Sequence, residues 1–154
     1  MSSDAAGSEP PRLSDEEMLA RFANSKKRPP CTETLGARLT HVDQANMIAR
    51  FAFEARAEFA NPTGAIQGGF IAAMLDEALS TTAIIASNVT MNAPTLEMKV
   101  SFLRPLFVGK ATAEARILKW GKSTCFIEGE LFDHEGKLVA KASATQAPKA
   151  FKRF

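Results

Sequence analysis

The stretch from Phe70 to Ser87 constrains the fold of this chain more than any other segment. It contains neither glycine nor proline and is built almost wholly from Ala, Ile, Leu, Met, Ser and Thr. Such a run is far too long for a strand and predicts a helix of about five turns. With so little polar surface, that helix must be buried on most sides. Asp76 and Glu77 interrupt it near the middle, so it does not read as a membrane span. A fold that buries one long helix needs something to wrap around it.

A carboxylate inside so apolar a helix calls for an explanation. At about 100° per residue, Asp76 shares its face with Ala72, Ala73, Ser80 and Ala83, while Ile71, Met74 and Ile85 cluster opposite. A stripe of small side chains lets a ligand approach closely, or equally lets another backbone pack there. Carboxylates are rarely buried without a partner, and apolar surroundings favour the protonated form, a property suited to a general base. Glu77 points away from the stripe, beside Ile84 and Phe70, as a surface or rim charge and the second-choice carboxylate. Gly68-Gly69 precedes the apolar run. The unpaired N–H groups and positive dipole end of a helix start could polarise a carbonyl there, although turn geometry alone also explains paired glycines.

The wrapping comes from strands. Met47, Ala49, Phe51, Phe53 and Ala55 alternate with Ile48, Arg50, Ala52, Glu54 and Arg56, predicting a strand with one buried face, paired to an earlier strand near 34–41. Asn61-Pro62-Thr63-Gly64 is turn chemistry. After the helix, Leu96, Met98, Val100 and Phe102 alternate against Thr95, Glu97, Lys99 and Ser101. Three more strands are predicted over about 110–120, 123–133 and 138–146, with Gly121-Lys122 and His134-Glu135-Gly136 as hairpin connections. Strands with no helix between them pair antiparallel. The expected class is α+β, one antiparallel sheet around one long central helix. Ser14-Asp15-Glu16-Glu17 has the form of a capping box and starts a short amphipathic N-terminal helix over residues 13–28 that ends in Lys26-Lys27-Arg28. Residues 1–12 read as a disordered tail, 31–148 as the domain and 149–154 as a basic tail.

Composition narrows the function. A chain of 154 residues with net charge +2 and mixed signs carries no basic footprint for nucleic acid. Cys31 and Cys125 lie far apart without CxxC or zinc spacing, and read as buried or half-buried thiols in a reducing compartment. No metal-ligand cluster is present, and no cofactor is expected. The polar start lacks the form of a signal peptide, so a cytoplasmic location is expected, with no membrane partner.

The run Asn61-Pro62-Thr63-Gly64-Ala65-Ile66-Gln67-Gly68-Gly69, with Asp76 seven residues further on, resembles the signature of the PaaI-like (phenylacetate-degradation type) acyl-CoA thioesterases. Thr95 to Pro105 is similar to that family's next strand, and the likeness extends over about residues 31–148. The resemblance implies the hotdog fold and hydrolysis of an acyl-CoA thioester. It implies Asp76 as nucleophile or general base, with the Gly68 N–H holding the thioester oxygen. Asn61 would orient the leaving region or a water, and Thr95 would hydrogen-bond near the attacking group. Gly69, Glu77, Ser80 and Arg104 are the candidate substrate-binding residues. The acid and the glycine loop would come from different subunits, which makes a homodimer the smallest active unit and a homotetramer its common extension.

Gln67 stands where the family carries histidine. Its amide can donate a hydrogen bond but cannot carry a proton at neutral pH. His41 and His134 lie in other elements and do not substitute for it. An acyl-CoA-binding module without hydrolysis is therefore the first rival. An enoyl-thioester hydratase is the second; those relatives pair the Asp with a nearby His, and only Glu77, Ser80 and Thr81 lie beside Asp76. A purely structural oligomerisation domain is the third. Cations for the coenzyme A phosphates are Arg104, Lys119, Lys122, Lys149, Lys152 and Arg153.

Overall fold

A computed structural model of the chain describes residues 10–151. The long apolar segment is helix α3 in a chain-order series that begins with α1 (Asp15–Ala23) and α2 (Pro30–Thr34). Strands β1 (Arg38–Asp43) and β2 (Ile48–Ala55) follow, then a 3-10 turn at Ala57–Phe59 and α3 (Gly68–Ala86). The chain continues through β3 (Met91–Asn92), β4 (Thr95–Phe102), β5 (Gly109–Trp120), β6 (Cys125–Phe132), β7 (Leu138–Gln146) and β8 (Lys149–Ala150). Six strands form one sheet in the order β1-β2-β5-β6-β7-β4, every neighbouring pair antiparallel. α3 packs on its inner face against β2 and β4 to β7. This is the hotdog arrangement expected from the sequence.

The helix sits close because the strands beneath it carry small residues. Ala111, Ala113 and Ala115 on β5 and Ala140, Ala142 and Ala144 on β7 all face inward and are buried. At Gly129 on β6, an added Cβ would lie 2.9 Å from Leu79 Cδ2 and 3.6 Å from Leu75 Cδ2. Met74, Leu75 and Leu79 are wholly buried, each contributing about 1.5–3 kcal/mol by area. By length and composition α3 could cross a membrane, but the sheet accounts for its apolar surface here. The outer face of the sheet is charged and solvated, with Arg50 paired to Glu114 and Lys141 to Glu130.

Several expectations are corrected. α1 is capped as expected, Ser14 Oγ accepting from Glu17 N at 3.2 Å while Ser14 N donates to Glu17 Oε2 at 2.8 Å. It ends at Ala23, however, so Lys26-Lys27-Arg28 lies in the connection to α2 rather than at a helix C-terminus. α2 follows because Pro30 at its first turn presets helical φ. Pro11 and Arg12, assigned to the tail, are held to the body by Asn88 Nδ2 and by Gln44. Residues 1–9, the rest of that tail, lie outside the described residues. Lys149 and Ala150 pair with Met91 and Asn92 instead of forming a free tail. Met47 leaves the inner row of β2, 41% exposed with φ at +55°, because it closes the β1–β2 turn. Cys31 is exposed rather than buried, whereas Cys125 is buried.

β4 departs from simple alternation. Its pairing with β7 shifts between Thr95 and Glu97, the mark of a β-bulge. Past the bulge Met98 and Val100 lean on the core, but Leu96 turns outward and is 63% exposed. The extra residue re-aims Thr95 toward the helix.

Candidate functional site

The bulge places Thr95 opposite the one acidic residue on the small-residue side of α3. Thr95 Oγ1 donates to Asp76 Oδ1 at 2.8 Å, and both residues are half-buried. Ala72 and Ala73 beside Asp76 are also half-buried, so space remains over the carboxylate, whereas Ala83 further along is buried. Among the described residues no cation pairs with Asp76, and Thr95 is the donor found on it. Oδ2 is therefore open to an incoming group.

Further polar atoms lie behind this pair. Gln146, at the end of β7, donates from Nε2 to Thr95 Oγ1 at 3.3 Å and to Ser80 Oγ at 3.2 Å. Ser80 stands one turn past Asp76 on the same helix. The sequence reading missed Gln146, although a signal was present. The inner row of β7 runs Ala140, Ala142, Ala144 and then Gln146, a polar residue at a position where alternation demands an apolar one.

The start of α3 is the other candidate element. Neither Gln67 nor any other side chain caps it, Phe70 N and Ile71 N return to Gln67 O, and the N–H groups of Gly68 and Gly69 have no acceptor among the described residues. The approach to it is pinned: Gln67 N donates to Phe59 O, Ile66 N to Leu106 O, and the Phe59 and Phe70 rings stack at 4.2 Å. Gly69 faces open space, while the Phe102 ring lies against Gly68, 3.2 Å from an added Cβ. Gln67 itself is exposed. Asn61 uses Oδ1 inside its own turn, accepting from Thr63 N and Thr63 Oγ1 at 2.9 and 2.7 Å; no bond joins it to Asp76.

The two elements do not meet within one chain. From Gly68 to Asp76 the helix rises about 12 Å, too far for one carbonyl to touch both. The structure therefore joins Asp76, Thr95, Ser80 and Gln146, and separately gathers Gly68, Gly69 and Phe102.

Of the two places expected for Glu77, surface or rim, the structure shows the rim. Glu77 is half-buried and accepts from Thr32 Oγ1 at 2.7 Å, because the segment from α1 to β1 folds back over the outer side of α3. That segment encloses a cavity of about 620 Å³, walled by Phe22, Leu39, Phe51, Ile84, Glu77 and Ser80. Ser80 thus borders both the cavity and the hydrogen bonds around Asp76. Lys27, Arg28 and Arg38 also line it.

Of the cations expected to meet coenzyme A, Arg104 lies at one end of the sheet and Lys119 and Lys122 at the other. Arg104 is exposed and donates from Nη1 to Leu138 O at the end of β4 where Phe102 lies. Lys119 and Lys122 are exposed at the opposite end, where Trp120 pairs with Cys125 and Cys125 with Gln146. Lys149 is exposed on β8; Lys152 and Arg153 lie outside the described residues. Among the described residues no group of three or more His, Cys, Asp or Glu could hold a metal ion.

Residues 63–140 match the model of the thioesterase superfamily. A candidate thioesterase of Ralstonia eutropha JMP134, described as related to phenylacetic acid degradation, superimposes with a TM-score of 0.77 at 32% identity, covering 84% of this chain and 98% of that one. A point mutant of the phenylacetic acid degradation protein PaaI of Thermus thermophilus superimposes with a TM-score of 0.66 at 30% identity, over 77% and 98% of the two chains. A candidate esterase of Saccharolobus solfataricus is 28% identical over 76% of this chain and 81% of its own length.

Proposed function

The chain belongs to the thioesterase superfamily, and on that premise we propose that it hydrolyses acyl-CoA thioesters to a free acid and coenzyme A, at sites shared between two copies. The observation that carries this reading is the Asp76–Thr95 pair, set about 12 Å along one helix from the unpaired N–H groups that the reaction also needs.

A second copy supplies what one chain lacks. β4 is an edge strand with no further strand on its far side among the described residues, and exposed apolar residues run along and beyond it: Leu96, Phe102 at 54%, Leu103, Phe107 and Val108. An open apolar edge pairs with another strand, and a two-fold axis makes the pairing antiparallel. The Phe102 end of one β4 then lies beside the Thr95 end of the other. Gly68 and Arg104 of one copy approach Asp76 of its neighbour. The charged outer sheet face favours this edge over stacking of sheets, so the dimer is the functional unit.

In such a site the thioester oxygen accepts from the Gly68 N–H at the positive end of α3. Thr95 holds Oδ1 of Asp76 and leaves Oδ2 for the reaction. Oδ2 either takes a proton from a water whose hydroxide adds to the carbonyl carbon, or adds to that carbon itself, forming an anhydride that water opens. In both routes the tetrahedral intermediate collapses by breaking the C–S bond, and the thiolate leaves and is protonated. A thiolate is a good leaving group, so positioned donors and one carboxylate suffice. The acyl group enters the cavity past Ser80, against Phe22, Leu39, Phe51 and Ile84, with Glu77 at its wall. Arg104, Lys119 and Lys122 stand where coenzyme A phosphates pass over the two sheet ends, and Asn61 orients the leaving region through its amide N–H groups.

Thiol release from a panel of acyl-CoAs, native protein against Asp76→Asn, tests the reading. Hydrolysis that falls about a hundredfold or more in the folded variant supports it. Retained acyl-CoA binding with no release from any member would replace it with the binding module that Gln67 raises.

A further inference from the structure

Gln146 is wholly buried, yet it sits in a row of alanines where a small apolar residue would pack. Its Oε1 has no donor among the described residues. A carbonyl buried in that way is destabilising, so stability alone does not account for this residue. Of its two partners, Thr95 holds Asp76 from the strand paired with β7, and Ser80 stands one turn past Asp76 on α3.

The direction of these hydrogen bonds is fixed by counting protons. Each hydroxyl has one proton and two acceptor sites; the amide nitrogen has two protons and no acceptor site. Nε2 gives one proton to each hydroxyl. Thr95 therefore spends its own proton outward, on Asp76 Oδ1. Ser80 likewise keeps its proton free for the side facing the cavity. An inverted amide would satisfy Oε1 from both hydroxyls at once. Thr95 would then have no proton left, and the hydrogen bond that it gives Asp76 Oδ1 at 2.8 Å would be lost. The orphaned carbonyl is the consequence of the one orientation that serves the carboxylate.

We propose that Gln146 is a positioning residue of the hydrolytic site: it polarises Thr95 and Ser80 in one direction, so that Thr95 donates to Asp76 and the Ser80 hydroxyl donates toward the reacting thioester or water. Gln146 touches neither substrate nor water and acts only through these two hydroxyls. The inference rests on the thioesterase reading, with the acyl group entering beside Ser80.

The test is the rate of thiol release from the acyl-CoA that the native protein cleaves fastest, with single-turnover measurement at high enzyme concentration for slow variants. Gln146→Leu keeps the volume and removes the donors. Its kcat falls by about ten- to a hundredfold, the scale of one hydrogen bond to a charged group, while KM stays within about threefold. In a Thr95→Val/Ser80→Ala background the same change has less than about a twofold effect, because nothing remains for Gln146 to orient. A structural role alone would lower stability and carry its full factor into that background. An unchanged kcat in Gln146→Leu, a loss confined to KM, or a factor that persists in the double background overturns the proposal. Gln146→Met, flexible and similar in length, is the second variant; if neither folds, the residue is structural and the proposal fails. A native protein that cleaves no member of the panel rejects the thioesterase reading itself, and this inference with it; active native protein with an indifferent Gln146 rejects only the inference.

Discussion

Thr95 donates its hydroxyl to Asp76 Oδ1 at 2.8 Å from a strand position that regular alternation would have turned the other way. The bulge between Thr95 and Glu97 breaks the period-two pattern where an inward hydroxyl reaches Asp76, and Leu96 is turned out to the surface in exchange. The bond leaves one carboxylate oxygen held and the other open.

Removing that hydroxyl should therefore slow the chemistry and leave binding alone. Thr95→Val is expected to lower kcat by about tenfold or more with little change in KM, and Thr95→Ser to retain most of the native rate, since only the γ-oxygen is used. Steady-state kinetics on any cleaved acyl-CoA, with circular dichroism to confirm folding, decides it. A native rate in Thr95→Val with a loss in Thr95→Ser would show that the methyl, not the hydroxyl, matters at this position.

The apolar β4 edge gives a second expectation, about assembly. Leu96→Glu with Leu103→Glu puts charge on both ends of the exposed strip, and sedimentation should show a monomer without activity. Complementation is the sharper measurement. Asp76→Asn and Gly68→Val homodimers should each be inactive. Mixed through a denaturation–renaturation cycle, they should regain about a quarter of the native sites, because half the dimers are hybrids with one intact site each. No recovery from the mixture would mean that each chain builds its own site.

The sequence read well wherever local pattern and long-range packing agree. The Phe70–Ser87 run became α3 because an apolar segment of that length has no other way to pair its backbone, and the inner rows of β2 and β5 follow from alternation. Ser14 and Glu17 announced their helix start because a capping box is a contact between neighbours in the chain. What failed to show was non-local. Thr95 was placed on the polar face by alternation, and only its resemblance to a family motif marked it for function. Glu77 reads as a surface or rim charge, and the cavity it borders stays hidden because nothing in α3 says that residues 22–39 fold across it. Gln146 was passed over because its partners are 66 and 51 residues away.

α1 forms one wall of the cavity through Phe22, so its cap bears on function as well as stability. Ser14→Ala should cost about 1 kcal/mol at neutral pH, read from urea unfolding. Glu17 carries the pH dependence. The Ser14 backbone N–H, then its hydroxyl contact, holds the Glu17 carboxyl below its ordinary 4.5. A carboxyl whose folded value is lowered stabilises the native state above the unfolded value and loses that contribution as pH falls through the folded one. The stability gap between native protein and Glu17→Gln should thus be present at neutral pH and close below pH 4.5. A gap that persists unchanged into acid would mean that the box works through shape and not through charge.

The two thiols should behave oppositely. Cys31 is exposed, whereas Cys125 is buried between β5 and β7, and burial pushes its thiol up to about 11. Alkylation needs the thiolate, so near pH 8 one thiol per chain should react quickly with iodoacetamide and the second only after unfolding. The same shift has a sign for stability. The unfolded chain releases the Cys125 proton from the ordinary value of 9.0, while the native state keeps it to about 11. Native stability is untouched below pH 9.0 and declines as the pH rises beyond it. Cys125→Ala, which also leaves a small cavity, should be the less stable protein at neutral pH yet lose less of its stability between pH 8 and 10. Rapid labelling of two thiols in the native state would show that β6 opens at this end, beside Gln146 and the Asp76 site.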